Sequence, residues 1–136
     1  MQAYITFQGN LKFEASTRNH RILSDQPLSN GGEDLGMTPP ELFLSALGSC
    51  VGFYAVKYLE ARHLDPSQLA VEISAEKTKE SPIRLDSIRI QVLPGIPLDE
   101  RHCDGLTKAV DACILHHTLV HPPQMTTEIK LPLLAP

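Results

Sequence analysis

At 136 residues, 21% of them charged and with a formal net charge of −4, the chain can bury one core without disulfide staples and has the length of a single domain, residues 1–136. The acidic balance, with 12 Lys and Arg scattered along the chain, excludes a nucleic-acid surface. Three cysteines are too few for a secreted disulfide framework, no apolar run approaches the roughly 20 residues that span a bilayer, and the N-terminus MQAYITFQGN lacks both a basic and an apolar leader region, so a cytoplasmic protein without a membrane partner is expected.

The first element is a β-hairpin: Ala3–Phe7 and Leu11–Ala15 alternate apolar and polar residues around a Gly9-Asn10 turn, and His20–Ser24 continues the meander. From Asp25 to Met37 the chain turns to Pro, Ser, Asn, Gly and acidic residues, a loop signature. Thr38-Pro39-Pro40-Glu41 then carries three helix-start signals: a Thr cap, prolines in the first turn, and a glutamate three residues after the cap. The helix should run from Pro39 to about Arg62, stopped by Asp65-Pro66.

That helix is apolar nearly all round, with Leu42, Phe43, Leu47, Val51, Phe53 and Val56, so it must be covered on every side. In a domain this small one sheet covers one side, and a second copy of the chain is expected on the other. Ala70–Lys79 and Arg84–Leu93 alternate as a second antiparallel pair joined through Ser81-Pro82. Leu98–Cys113 has the spacing of an amphipathic helix, Ile114–Leu119 a further helical turn, and Met125–Leu131 the alternation of a last strand after Pro122-Pro123. The order βββαββααβ, without βαβ crossovers, predicts an α+β fold.

The candidate chemistry lies in two cysteines far apart in sequence. Cys50 sits about three turns into the apolar helix, and Cys113 stands just before His116 and His117. Each could be an ordinary core residue, since free cysteine packs as a small hydrophobe, or the two could be a peroxide-reducing thiol and its resolving partner. Cys103, on the apolar face of its helix with no supporting motif, reads as structural. Cys113, His116 and His117 have a spacing that puts soft ligands on one helical face, with Cys50 or His121 as a fourth, but without CxxC or HExxH no metal is expected. The acidic Asn30–Asp34 stretch lacks the lysine and the spacing of a phosphate cradle, so no cofactor is expected either.

The stretches Gly31–Cys50 and Ala112–Leu119 together resemble the osmotically inducible protein C and organic hydroperoxide resistance (OsmC/Ohr) family, and the order of strands and helices agrees over essentially the whole chain. The resemblance implies antiparallel sheets packed around a long buried helix in an intertwined homodimer, with two active sites at the subunit interface. It implies a thiol-dependent peroxidase of the oxidative stress response, with Cys50 peroxidatic and Cys113 resolving. Its partners would be an organic hydroperoxide and an external dithiol reductant.

A peroxidatic thiol reacts as the thiolate and needs a nearby cation or oriented donors. By the resemblance, the partner arginine lies in the loop after the second strand, which a gapless reading places at Arg18, with Arg21 as the fallback. The hydroperoxide-resistance branch has a glutamate ten positions before the first cysteine; here that position is Pro40, and Glu41 follows it. One residue on a helix turns the carboxylate by about 100°, so Glu41 is either the displaced partner of the arginine or the capping-box residue. Ile114 also stands where the family often has proline. These departures fit a divergent branch and keep a second function open: a small-molecule binding protein on the same fold, with inert thiols.

Overall fold

The computed structural model describes residues 1–131 and has two antiparallel sheets and three α-helices. Strands β1 (Tyr4–Phe7), β2 (Phe13–Thr17) and β3 (His20–Ser24) form a meander. Its first turn closes where Gly9 and Asn10 both take positive φ, the conformation for which this dipeptide is suited. Ile5 pairs with Ala15 and Ala15 with Ile22, while Phe7 pairs with Phe13, so these residues share one face of the sheet. That face is bare: Ile5 is 59% exposed and Phe7 64%.

The loop after β3 is organised by Asp25, which is 1% exposed. Its Oδ1 accepts from the Gln26 amide at 2.8 Å, and its Oδ2 accepts from the amides of Glu33 and Leu35, each at 3.1 Å. The chain folds so closely here that a Cβ on Gly32 would run into the Gln26 carbonyl. A Lys12–Glu33 ion pair at 2.6 Å ties the loop back to the first hairpin.

Helix α1 (Pro39–Ala61) starts as the sequence signals, with Pro at the first positions and a Thr38–Glu41 capping box. Leu47, Val51, Ala55 and Leu59, spaced four apart, form its buried stripe. It packs on β4 (Ala70–Lys77) and β5 (Leu85–Leu93), an antiparallel pair with a register shift between Ser74 and Glu76, and on α2 (Glu100–Asp111) and α3 (Ile114–Val120). Asp99 caps α2 by accepting from the His102 amide at 2.8 Å.

Two expectations need correction. Residues 125–131 form no strand, although the alternation is present: Met125, Ile129 and Leu131 are all at least 82% exposed. A period of two fixes which side chains share a face but supplies no neighbouring edge to complete the ladder. Second, α1 is long and apolar enough, by length and composition, to cross a membrane. Ser45, Ser49 and Lys57 interrupt the apolar run without breaking the helix, and in the fold its buried stripe places it as a core helix. Within one chain α1 is covered on one side, as expected for a domain this small, and Phe53 is left 57% exposed. The β1–β3 sheet likewise makes no substantial packing with the helices or with β4–β5.

Candidate active site

The two cysteines meet in the core. Cys50, half-buried on α1, packs against the buried cluster of Leu47, Val51 and Cys113. What turns Cys113 inward is the break between α2 and α3. It is the residue before α3, in an extended conformation (φ −58°, ψ 128°), and its amide donates to the Val110 carbonyl at 3.0 Å. Its side chain is 0% exposed.

Burial pushes the Cys113 thiol above its ordinary pKa, and the neighbouring Cys50 thiol adds to the shift; the backbone amides of His116 and Leu115, which face the sulfur, oppose it. The result is a thiol that keeps its proton through neutral pH beside a second, more accessible thiol. Such a pair can form a disulfide once one sulfur is oxidised.

Glu41 is used at the helix start. Its Oε2 accepts from the Thr38 amide at 2.7 Å and from the Thr38 hydroxyl at 2.9 Å, and these bonds hold its carboxyl below the usual glutamate range. Nine residues separate it from Cys50, so by helix geometry it lies roughly 13 Å away along the axis and on the opposite face. Arg18 occupies the β2–β3 turn at positive φ, beside Met1, Gln2 and Tyr4 on the detached sheet. Among the described residues it forms no ion pair or hydrogen bond, whereas Arg21 lies 3.5 Å from Glu14. The chain thus brings Cys50 and Cys113 together and leaves Arg18 and Glu41 apart from them. Glu33, whose loop precedes α1, is held by Lys12 and Asn10.

Among the described residues no three His, Cys, Asp or Glu side chains converge as metal ligands. His117 and His121 stack with ring centroids 5.6 Å apart, and His116 faces Asp111. The residue that sequence reasoning passed over is Asp25; its signal, an acidic residue opening a Pro- and Gly-rich loop, is one that many exposed loops share.

An OsmC-like protein family model matches residues 31–128, a span that contains both cysteines and the loop entering α1. The chain belongs to the OsmC-like family. No curated protein sequence matches it. Among solved structures, a protein of Psychrobacter arcticus named for an osmotic stress induced and detoxification response is similar with a TM-score of 0.78 at 20% identity, over 87% of each chain. An OsmC-like protein of Mycoplasma pneumoniae is similar with a TM-score of 0.74 at 16% identity, over 89% of this chain and 87% of that one. An organic hydroperoxide resistance protein of Legionella pneumophila reaches 0.60 at 15% identity, over 88% of this chain and 89% of that one. At these identities the likeness is one of fold. The OsmC-like fold therefore positions the cysteine pair on its central helix and at the α2–α3 break.

Proposed function

We propose that this OsmC-like protein is a thiol-dependent peroxidase that reduces organic hydroperoxides in the cytoplasm, as part of oxidative stress defence. The observation that carries the reading is the contact between Cys50 and Cys113, with Cys113 buried and its thiol pushed toward the protonated form. The Cys50 thiolate attacks the terminal oxygen of the hydroperoxide; the O–O bond breaks, the alkoxide takes up a proton and leaves as an alcohol, and Cys50 becomes a sulfenic acid. Cys113 then gives up its proton and attacks the Cys50 sulfur, water leaves, and the disulfide forms. An external dithiol restores both thiols by exchange and is itself oxidised to a disulfide. No cofactor or metal enters the cycle.

The working unit of this reading is a homodimer. The bare apolar face of β1–β3 and the uncovered side of α1 in the same chain support it, because each is the kind of surface the other would bury. An open groove of about 530 Å³, lined by Leu44, Gly48, Gly52 and Val71, runs along the seam between α1 and β4. In the dimer Arg18 would come to Cys50 from the partner subunit and stabilise the thiolate, with Glu41 as the carboxylate nearest in sequence to the family's arginine partner.

The test is peroxide consumption with an alkyl hydroperoxide and a dithiol. Cys50→Ser should abolish turnover, and Cys113→Ser should stop after one equivalent with a sulfenic acid at Cys50; equal activity in wild type and Cys50→Ser rejects the reading. The second reading, a small-molecule binding protein with inert thiols, is favoured by the placement of Arg18 away from the pair within one chain. A Cys50 that titrates no lower than an ordinary free thiol, about 8.5, would select it.

A further inference from the structure

Between α1, β5 and α2 lies a half-enclosed cavity of about 380 Å³ that the proposed peroxidase chemistry does not use. Its walls are aliphatic: Val51, Ile90, Val92, Leu98, Leu106 and Val110. The volume is within the range of small-molecule pockets. The polar groups lie together on the side formed by α2 and the start of α3: Cys103, Thr107, Asp111 and His116.

These polar groups narrow the ligand. The Thr107 hydroxyl already donates to the Cys103 carbonyl at 2.9 Å, so its proton is committed. Asp111 Oδ1 and His116 Nδ1 stand 3.6 Å apart, beyond hydrogen-bonding distance, with side chains 59% and 33% exposed. One hydroxyl between them can donate to the carboxylate and accept from an imidazole N–H, satisfying both. A carboxylate head group would meet Asp111 with like charge and have no proton to give it.

We propose that this cavity binds an aliphatic alcohol, with its chain against the aliphatic walls and its hydroxyl bridging Asp111 and His116. The reaction proposed above would release a molecule of this class, but the assignment rests on the cavity alone. Val51 and Val110 line the cavity and also belong to or pack on the cluster that holds Cys113. Occupancy therefore bears on the packing around the thiol pair without touching either sulfur.

Cys103 is exposed and lines the same cavity, which makes it a built-in reporter. The experiment measures alkylation of Cys103 and Cys50 by iodoacetamide in the reduced full-length protein, by mass spectrometry of their peptides, with n-octanol as the probe and octanoate as the control. Octanol should slow labelling of Cys103 several-fold and leave Cys50 unchanged, and octanoate should do neither. Leu98→Trp, which fills the cavity from its loop side, should abolish the octanol effect, and Asp111→Ala should raise the octanol concentration needed by about tenfold, the loss of one charge-assisted hydrogen bond. The proposal is overturned if octanol fails to protect Cys103 up to its solubility limit, if octanoate protects equally, or if protection falls on Cys50. It is also overturned if Ile129→Asp, without octanol, speeds Cys103 labelling, because the C-terminal segment would then be the occupant. Peroxidase turnover is read separately, so inactivity toward peroxides leaves this result standing.

Discussion

Cys113 donates no surface to solvent and lies against Cys50, held there by the extended residue at which α2 ends and α3 begins. The two thiols are therefore unequal before any oxidant arrives. In alkylation of the folded, reduced protein, Cys103 and Cys50 should label at neutral pH while Cys113 remains unmodified until the protein unfolds. Rapid labelling of Cys113 in the native state would contradict its burial.

The same burial has a pH consequence. A thiol raised above its ordinary pKa binds its proton more tightly in the folded state than in the unfolded one. Its contribution to stability is complete below about pH 8.5 and is lost as pH rises through the higher folded value. Urea denaturation midpoints should fall above that pH in wild type, and the fall should shrink in Cys113→Ser.

Acid should act on a different set of groups. Asp25, pulled up by burial but further down by the amides of Leu35, Gln26 and Glu33, ends below its ordinary value; Glu33, through Lys12 and Asn10, and Glu41, through Thr38, do likewise. Depressed carboxylates stabilise fully above their unfolded values, 3.8 for Asp and 4.5 for Glu, and lose that contribution as pH falls through the lower folded values. Unfolding followed by circular dichroism should begin below about pH 4.5, and Asp25→Asn should move its onset. Limited proteolysis at neutral pH should cut Asp25→Ala between residues 26 and 36, because three amides lose their common acceptor.

Removing the cap of α1 tests whether Glu41 is structural. Thr38→Ala should cost about 1 kcal/mol by denaturant titration. Glu41→Gln retains an oxygen acceptor for the Thr38 amide and should fold with wild-type secondary structure. If peroxide turnover nevertheless collapses in Glu41→Gln, the carboxylate has a role beyond the cap.

Dimerisation can be tested on the two faces of one sheet. Ile5→Glu puts a charge on the bare apolar face and should yield monomers by light scattering, whereas Thr6→Glu, on the opposite face, should not. If Arg18 acts across the interface, mixing inactive Arg18→Ala with inactive Cys50→Ser should restore part of the activity, since mixed dimers carry one site with both wild-type residues. No recovery after subunit exchange would place Arg18 outside the catalytic unit.

Much of this molecule is legible in its residues, for reasons that differ by element. The α1 start is written in Thr38, Pro39, Pro40 and Glu41 because capping is local, and each partner lies within one turn. The β1–β3 and β4–β5 pairs follow from alternation and turn residues at short range. Met125–Leu131 has the same alternation and no ladder, because a strand needs an edge that its own sequence does not supply.

Local sequence determined the helices, the two strand groups, the cap and the presence of two cysteines in distinct settings, since each depends on contacts a few residues apart. Only the tertiary structure decided that Cys50 and Cys113 touch, that Cys113 is the buried one, that Asp25 gathers its loop, and that Arg18 stands away from the pair within a single chain. Those relationships join residues far apart along the chain, and they are fixed by how α1 seats on β4–β5 and where the α2–α3 break points. Packing of distant surfaces sets them, and periodicity within one segment carries no record of it.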